Sequence, residues 1–263
     1  MKKYLVIGNP IEHSLSPKLH NYWIKHNKID ALYGKEKLKN DDLEKLIKKI
    51  KLGEVNGVNV TVPFKKKIIK YLDKLSPGAQ KTQSVNTIFL EQDKIVGHNT
   101  DIEGFGWAIK ETNFNLSGKK ILILGAGGVV PSIIYSLYKM KVAKITVANR
   151  TKENAEDLKR LFKEITIVNW GEMPKFEMII NATSIGLSNT DRLSLDFSRI
   201  ESGKFFYDLI YNPKETRFLK DARKTGNIAE NGKKMFIYQA AASFKLWHNV
   251  QPEINDDVNR LLD

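Results

Sequence analysis

The fold is decided by residues 120–130, which read KILILGAGGVV. An apolar run typical of a buried strand leads directly into a glycine-rich turn, and a helical pattern follows through Tyr138. A strand, a glycine turn and a helix in this order open the nucleotide-binding unit of doubly wound α/β folds, where backbone N–H groups and the helix dipole meet a pyrophosphate. We therefore predict a dinucleotide-binding unit here, with a tight turn that binds no ligand as the alternative.

The next predicted strand indicates which dinucleotide would be bound. It ends at Ala148 and is followed by Asn149-Arg150-Thr151-Lys152. An acidic residue at this place would bind the ribose of NAD, whereas an arginine accommodates the 2′-phosphate of NADP. The segment has no acid and offers two cations, so NADP is favoured over NAD. The alternative is that Arg150 is only a solvated loop residue.

The glycine turn lies more than a hundred residues into a chain of 263 residues, so a separate unit precedes it. Short strand patterns alternate with helical patterns in both parts, which predicts an α/β fold with largely parallel sheets in two domains. We place the boundary near residue 104. The patterns before it include a helix over residues 16–26 that Ser16 would cap, and a helix over residues 68–75.

The charge of the chain is strongly basic but dispersed. The formal net charge is +13, and residues 1–103, with 19 lysines and 12 acidic residues, carry +7 of it. Nucleic-acid binders concentrate basic residues and favour arginine, so we expect a solvated basic surface and no nucleic-acid partner. No apolar run approaches the length that spans a bilayer, and the chain has no cysteine. We expect a cytoplasmic protein without disulfides, thiolate chemistry or a membrane partner.

Three polar segments stand out in the first hundred residues. Ser14 and Ser16 lie near a helix N-terminus, where two hydroxyls can bind a carboxylate. Lys65 ends the segment NVTVPFK, residues 59–65, and Asp101 ends the segment GHNTD, residues 97–101. Taken singly, Ser16 is best interpreted as a helix cap, Lys65 as a surface lysine and Asp101 as a turn residue.

Taken together, the segments resemble the shikimate/quinate dehydrogenase family. The chain carries, in family order, the motifs GNP (8–10), HSLSP (13–17), NVTVPFK (59–65), SVNT (84–87), NTD (99–101), GAGG (125–128), NRT (149–151), NATS (181–184), YDLIYNP (207–213) and QAA (239–241). It departs from the family pattern at Gln83-Ser84, Ile102, Val130-Pro131 and Lys233-Lys234. None of these departures removes a chemical group that the family's reaction requires.

The resemblance implies a role for each matching position. Lys65 and Asp101 would form the catalytic pair, in which Asp101 orients the lysine and favours its charged form. The substrate would be bound by Ser14, Ser16, Thr61, Asn86, Tyr211 and Gln239. The cofactor would be bound by Gly125, Ala126, Gly127, Gly128, Val129, Asn149, Arg150, Thr151, Lys152, Thr183, Leu209 and Gly232. We interpret Asn181 and Asp208 as structural, and we predict no metal site.

The resemblance also implies an architecture and a reaction. A substrate-binding α/β domain, residues 1–103 plus 237–263, would be separated by a cleft from a Rossmann-type NADP-binding domain, residues 104–236. A monomer or homodimer would reversibly reduce 3-dehydroshikimate to shikimate with NADPH. The alternatives are a quinate/shikimate dehydrogenase that uses NAD(P) and a non-catalytic dinucleotide-binding regulator.

Overall fold

The chain forms two units, each built on its own six-stranded sheet. The structure, a computed structural model, describes residues 1–188, 190–193 and 195–263. Unit 1 comprises Met1–Gly104 and Ile237–Asp263, and unit 2 comprises Phe105–Phe236. No helix in these described ranges has the length and apolar character needed to cross a membrane.

The secondary structure alternates between strands and helices along most of the chain. The strands are β1 (Lys2–Gly8), β2 (Ala31–Lys37), β3 (Gly57–Val60), β4 (Lys74–Leu75), β5 (Thr87–Glu91), β6 (Lys94–His98), β7 (Lys120–Leu124), β8 (Lys144–Ala148), β9 (Thr166–Val168), β10 (Met178–Asn181), β11 (Phe205–Asp208) and β12 (Ile228–Glu230). The helices are α1 (Ser16–His26), α2 (Leu43–Lys51), α3 (Pro77–Thr82), α4 (Asp101–Lys110), α5 (Val130–Lys139), α6 (Lys152–Leu161), α7 (Arg217–Lys224), α8 (Lys233–His248) and α9 (Asp256–Leu261).

Unit 1 contains a mixed sheet in the order β2-β1-β3-β5-β6-β4. Strand β1 pairs in parallel with β2 and β3, whereas β5 runs antiparallel to β3 and β6. Helix α2 covers this sheet with Leu43, Leu46 and Ile50, because apolar residues three or four positions apart share one helix face. Since β1 and β3 are parallel neighbours, the polar segments that follow them begin at the same edge of the sheet.

Unit 2 contains a sheet in the order β12-β11-β10-β7-β8-β9, and every strand pair in it is parallel. Counted from β7, this is the strand order 6-5-4-1-2-3 of a dinucleotide-binding doubly wound fold. Strand β7 is apolar and buried after Lys120, as expected for a strand covered on both faces. From β7 the sheet is extended on one side by β8 and β9 and on the other side by β10, β11 and β12. The crevice outside the carboxyl ends of β7 and β10, where the strand order reverses, is therefore the expected ligand position.

The predicted α/β class with largely parallel sheets is confirmed, but two details of the sequence analysis are wrong. Parallel pairing also prevails in unit 1, where three of the five strand pairs in the sheet are parallel and β5 makes the two antiparallel ones. The helix predicted over residues 68–75 is a 3-10 helix, Lys67–Tyr71, followed by β4. The backbone there turns to pair with β6: the N–H of Asp73 donates to the carbonyl of Ile95 at 3.0 Å, and the carboxylate of Asp73 accepts from the N–H of Ile95.

The second error concerns the start of α1. Ser16 is the first helical residue and does not cap the helix, since Leu15 takes the cap position. The side chain of Ser14 instead accepts a hydrogen bond from the backbone N–H of Ser16, at 3.3 Å. The sequence analysis also left out α3 and α7, although Ser76 and Thr216 cap them through their side chains.

Candidate active site

Lys65 and Asp101 form a shielded ion pair in unit 1. Lys65 Nζ lies 2.5 Å from Asp101 Oδ2, and the two side chains are only 12% and 7% exposed. Asp101 is the first residue of α4, and its backbone N–H donates to Asn99 Oδ1 at 3.2 Å. An ion pair with so little access to water is screened less than a surface pair. The carboxylate therefore holds the ammonium group in a defined position.

The amide of Asn86 contacts the other oxygen of this carboxylate. Asn86 Nδ2 donates to Asp101 Oδ1 at 2.9 Å and to Gln239 Oε1 at 3.4 Å. Asn86 Oδ1 accepts from the backbone N–H of Thr100 at 2.7 Å, which fixes the orientation of the amide. The structure thus joins Lys65, Asp101, Asn86 and Gln239 in one hydrogen-bonded group.

A buried polar network continues from Asn86 toward the start of α1. Asn59 Nδ2 donates to the carbonyl oxygen of Asn86 at 3.1 Å and to Ser243 Oγ at 3.0 Å. The hydroxyl of Tyr33 donates to Asn59 Oδ1 at 2.6 Å and also hydrogen-bonds the side chain of Ser16. Burial raises the pKa of Tyr33 well above its usual range, so this hydroxyl stays neutral.

The sequence analysis gave no role to Tyr33, Asn59 or Ser243. The available signals were an asparagine inside the buried strand β3 and a serine one helical turn after Gln239 on α8. These signals are weak, because each residue finds its partners in segments that are distant along the chain. Asn59 and Ser243, for example, are 184 positions apart.

Ser14, Ser16 and Thr61 lie where β1 and β3 end. Thr61 directly follows β3, and its backbone N–H donates to the carbonyl of Ile7 at 2.9 Å. Ser14 is half-buried and Ser16 is buried. Hydroxyl groups thus follow two adjacent parallel strands at the same edge, close to the N-terminus of α1. This arrangement can supply the donors that a carboxylate needs.

Two lysines tie the segment before Ser14 to β2. Glu12 Oε1 lies 2.7 Å from Lys37 Nζ, and the ammonium group of Lys35 donates to the carbonyl oxygen of Glu12. The hydrogen bond from Lys37, together with the N–H of Ile11, lowers the pKa of Glu12 to about 2. The loop that carries the two serines is therefore anchored at its start and has two cations beside it.

In unit 2 the glycine turn after β7 fits the pyrophosphate of a dinucleotide. Gly125 has φ +107°, and a Cβ there would lie 2.8 Å from the carbonyl oxygen of Ala182, so a side chain is excluded. Gly127 and Gly128 are exposed, and a Cβ on Gly128 would meet only open space. Helix α5 begins two residues later. A phosphate can therefore approach the backbone N–H groups and the helix N-terminus.

The segment after β8 presents exposed cations at the same edge of the sheet. Arg150, Thr151 and Lys152 are exposed, and Asn149 Nδ2 donates to the carbonyl oxygen of Thr151 at 2.6 Å. Thr151 occupies the cap position of α6, but its side chain makes no capping hydrogen bond. Because β7 and β8 are neighbours, these groups follow the strand next to the glycine turn.

Thr183, Leu209 and Gly232 belong to the other half of this sheet. Thr183 follows β10, and Leu209 follows β11. A Cβ on Gly232 would lie 2.1 Å from the carbonyl oxygen of Leu209, so this close approach of two backbones requires glycine. The predicted cofactor residues therefore form two groups, one beside β7 and β8 and one beside β10 and β11.

The predicted substrate residues are divided between the two units. Tyr211 belongs to unit 2, whereas Ser14, Ser16, Thr61, Asn86 and Gln239 belong to unit 1. The ring of Tyr211 stacks on Phe236 with centroids 4.7 Å apart. Burial raises the pKa of Tyr211 to about 12, so its hydroxyl is a neutral hydrogen-bonding group.

Comparisons with known proteins bear on the chain as a whole. Residues 6–88 match the model of the shikimate dehydrogenase substrate binding domain, and residues 108–195 match that of shikimate / quinate 5-dehydrogenase. The shikimate dehydrogenase (NADP(+)) of Pelagibacter ubique is 55% identical over 262 residues, which are 100% of this chain and 99% of that protein.

Two solved structures have the same fold. A crystal structure of a shikimate dehydrogenase in complex with NADP+ gives a TM-score of 0.93 at 34% identity, over 100% of this chain and 94% of that one. The shikimate 5-dehydrogenase of Thermus thermophilus, in complex with NADP(H) and shikimate, gives 0.90 at 29% identity, over 100% and 98%. The resemblance drawn from the sequence motifs is thereby confirmed: the chain belongs to the shikimate dehydrogenase family.

Proposed function

We propose that the protein is an NADP-dependent oxidoreductase that reversibly reduces the C3 ketone of 3-dehydroshikimate to the hydroxyl of shikimate. The observation that carries the proposal is the shielded Lys65–Asp101 pair, held by Asn86 beside Gln239. The family supplies the reaction class, and relatives named or solved with NADP supply the cofactor. The proposal includes a cytoplasmic location and a monomer or homodimer.

The role of Lys65 follows from its charge and position. When bound, NADPH supplies the hydride that reduces the carbonyl carbon. The ammonium group of Lys65 hydrogen-bonds the carbonyl oxygen, stabilises the negative charge that develops there and donates the proton that completes the hydroxyl. Asp101 holds this ammonium group in place at 2.5 Å. In the reverse direction, the amine of Lys65 accepts the proton of the shikimate hydroxyl.

The other polar groups of the proposed substrate site orient the ring. Ser14 and Ser16 donate to the substrate carboxylate, with Tyr211 as an additional donor. Thr61, Asn86 and Gln239 hydrogen-bond the ring hydroxyls. The ion pair of Glu12 with Lys37 supports this assignment, because it ties the start of the loop that carries the serines to β2.

In unit 2 the cofactor is held by its phosphates and by its nicotinamide end. The backbone of residues 125–129 binds the pyrophosphate, and the segment 149–152 binds the adenosine 2′-phosphate, chiefly through Arg150. Thr183, Leu209 and Gly232 border the nicotinamide. The fit of this chain to the pyrophosphate rests on the exposure of Gly127 and Gly128 and on the space beside Gly128 that no side chain fills.

One assay separates this proposal from its alternatives. Shikimate and quinate are each offered with NADP+ and with NAD+, and the absorbance of the reduced cofactor is followed. We expect rapid turnover only with shikimate and NADP+. Turnover of quinate with NAD+ would assign the protein to the quinate/shikimate alternative. NADP+ binding without turnover of either substrate would favour the regulator.

A variant of the cofactor segment tests the choice of NADP. Arg150→Ala removes a charge-assisted hydrogen bond, so we expect KM for NADP+ to rise about tenfold to a hundredfold, while KM for NAD+ changes little. Lys159→Ala, which removes an exposed cation elsewhere on the same unit, is the control. Equal effects of both variants would assign Arg150 to the general surface charge.

A further inference from the structure

Asp208 is a buried acid that the proposed reaction does not use. It is the last residue of β11, it has no exposed surface, and it stands in register with Asn181, the last residue of β10. Burying a carboxylate is costly unless hydrogen bonds or a cation compensate for lost water. Its contacts therefore show what the buried charge holds in place.

Three neutral donors contact the carboxylate of Asp208. Oδ1 accepts from Asn181 Nδ2 and from the backbone N–H of Ile210, each at 3.0 Å. Oδ2 accepts from the hydroxyl of Thr216 at 2.5 Å. These donors lie at the end of β10, in the loop after β11 and at the start of α7. One side chain thus fixes three segments of unit 2 at the carboxyl edge of its sheet.

The contact with Asn181 sets the orientation of a second side chain. Because the carboxylate accepts hydrogen bonds, Asn181 must turn its NH₂ group toward Asp208. The second N–H of this group donates to the carbonyl oxygen of Ile185 at 3.0 Å. Asn181 Oδ1 then accepts from the backbone N–H of Thr183 at 3.1 Å and from its hydroxyl at 2.7 Å. The Asn181 amide thus donates one N–H to Asp208 and makes its other hydrogen bonds to Thr183 and Ile185, in the loop after β10.

The hydroxyl of Thr183 is oriented as a consequence. Its proton points to Asn181, and its oxygen also accepts from the backbone N–H of Ile185 at 3.0 Å. Thr183 is half-buried, so part of its surface remains accessible. The chain of contacts therefore transmits the position of Asp208 to a group at the surface of the proposed cofactor site.

The sheet topology indicates which part of the cofactor this surface faces. In a sheet with this strand order, each half binds one nucleotide of the dinucleotide, and the pyrophosphate lies at the switch point. The glycine turn after β7 and Arg150 after β8 mark the adenosine half. Strands β10 and β11, which end in Asn181 and Asp208, belong to the other half. The second nucleotide of NADP carries the nicotinamide.

We propose that Asp208 is a positioning residue for the nicotinamide half of the cofactor site, acting through Asn181 on the Thr183 loop and through Ile210 on the loop that begins at Leu209. The inference rests on the proposed function, because it presupposes that unit 2 binds NADP. It extends that function by assigning to Asp208 and Asn181 a task that the sequence analysis left as merely structural.

The test compares two ligands that differ only in the nicotinamide. Calorimetry measures the Kd of NADP+ and of 2′-phospho-ADP-ribose, which lacks the nicotinamide, for the whole chain and its variants. For Asp208→Ala we expect a loss of NADP+ affinity of about tenfold, with the Kd of the fragment unchanged within about twofold. Asp208→Asn keeps an acceptor for Asn181 and Ile210, so we expect it to recover part of the loss.

Two further variants keep the test decisive. Asn181→Ala removes the hydrogen bonds that link Asp208 to Thr183 while it leaves Asp208 in place. We expect it to show the same selective loss of NADP+ affinity, and it replaces Asp208→Ala in the test if that variant does not fold. Asp196→Ala removes an exposed carboxylate of the same unit and should change neither affinity.

Each outcome has one meaning. Equal loss of both ligands, or no loss of either, would overturn the positioning role. Failure of the unmodified protein to bind NADP+ would overturn the proposed function, and the positioning role with it. A selective loss of NADP+ affinity supports both.

Discussion

Each unit of this protein buries a carboxylate where a strand of its sheet ends or has just ended. The two negative charges are stabilised by different kinds of groups. In unit 1, Asp101 faces the ammonium group of Lys65 at 2.5 Å. In unit 2, the contacts of Asp208 are neutral N–H and O–H groups. A cation that can also give up a proton suits acid–base chemistry, whereas neutral donors from three segments suit the fixing of loops. The hydrogen-bond and ion-pair partners of a buried acid therefore indicate its role better than its burial alone does.

The units also differ in how their buried titratable groups respond to acid. Burial raises the pKa of Asp208 to about 6, although three hydrogen bonds oppose the shift. In unit 1, His20 stacks on Tyr33 with ring centroids 4.2 Å apart, and neither of its ring nitrogens has a hydrogen-bond partner among the described residues. Burial, with a smaller contribution from His248, lowers the pKa of His20 to about 3.

The largest expected effect comes from removal of the cation in unit 1. Lys65→Ala removes the proton donor and leaves Asp101 buried without its counter-charge, so we expect kcat for shikimate oxidation to fall by about 10²–10⁴, with a much smaller change in KM. Steady-state kinetics with NADP+ measure both constants. Lys66→Ala, which removes the exposed neighbouring lysine, should leave kcat unchanged. A near-normal kcat for Lys65→Ala would rule out its assignment as proton donor.

The acid response of unit 1 should depend on His20. The unfolded state takes up a proton near pH 6.5, whereas the folded state resists it down to about pH 3, so stability is present above pH 6.5 and is lost as the pH falls. At pH 4.5 this loss amounts to roughly 3 kcal/mol. In His20→Phe we expect the acid sensitivity to shrink by about this amount, while the part due to His248, whose pKa burial lowers to about 4, remains. Hydrogen exchange of unit 1 peptides between pH 8 and pH 4.5 measures it.

The control for His20 is His26→Phe, which alters an exposed histidine on the same helix. It should leave the acid sensitivity of unit 1 as it is in the unmodified protein. If His20→Phe keeps the full acid sensitivity, another group governs the stability of this unit.

Asp208 should shift the stability of unit 2 in the opposite direction. Its folded-state pKa of about 6 lies above the ordinary value of 3.8, so the folded state takes up the proton first and stability rises as the pH falls. The contribution is about 1–2 kcal/mol between pH 8 and pH 4.5. Asp208→Asn should remove it, as measured by hydrogen exchange of unit 2 peptides. The same pH dependence in the variant would contradict this account.

The smallest effect is expected at the proposed carboxylate site. Ser14→Ala removes one of several donors, so we expect KM for shikimate to rise about fivefold while kcat and KM for NADP+ stay unchanged. The comparison variant is Ser202→Ala, which alters an exposed serine of unit 2. A rise in KM for NADP+ instead of shikimate would place the function of Ser14 elsewhere.

The sequence predicts local features of the fold well, because their causes are local. The apolar run of β7 and the glycines after it specify a strand and a turn within a few residues. Ser76 with Pro77 and Thr216 also carry local helix-start signals, and α3 and α7 could have been predicted from them. The strand order of unit 1 could not be predicted from such signals, because the partner of a strand is chosen over long distances.

In the candidate site, too, some residues could be predicted from local motifs and others only from long-range contacts. Family motifs predict Lys65, Asp101, Asn86 and Gln239, and the structure brings them into one hydrogen-bonded group. The supporting contacts of Tyr33 and Ser243 could not be predicted, since they join residues that only the folded sheet brings together. The residue roles themselves stay predictions until the variants are measured, as does the expected cleft.

The discontinuity of unit 1 has a consequence for synthesis. Its second segment supplies Trp247, which donates to the carbonyl of Ile88 at 3.2 Å, and the carbonyl of Glu253, which accepts from Trp23 at 2.9 Å. A ribosome makes this segment only after residues 105–236, so unit 2 has its whole sequence while unit 1 still lacks α9 and most of α8. The unit whose first segment is made first is the one completed last, and until then Tyr4, Trp23 and Tyr33 lack their ring contacts with Trp247 and Phe244.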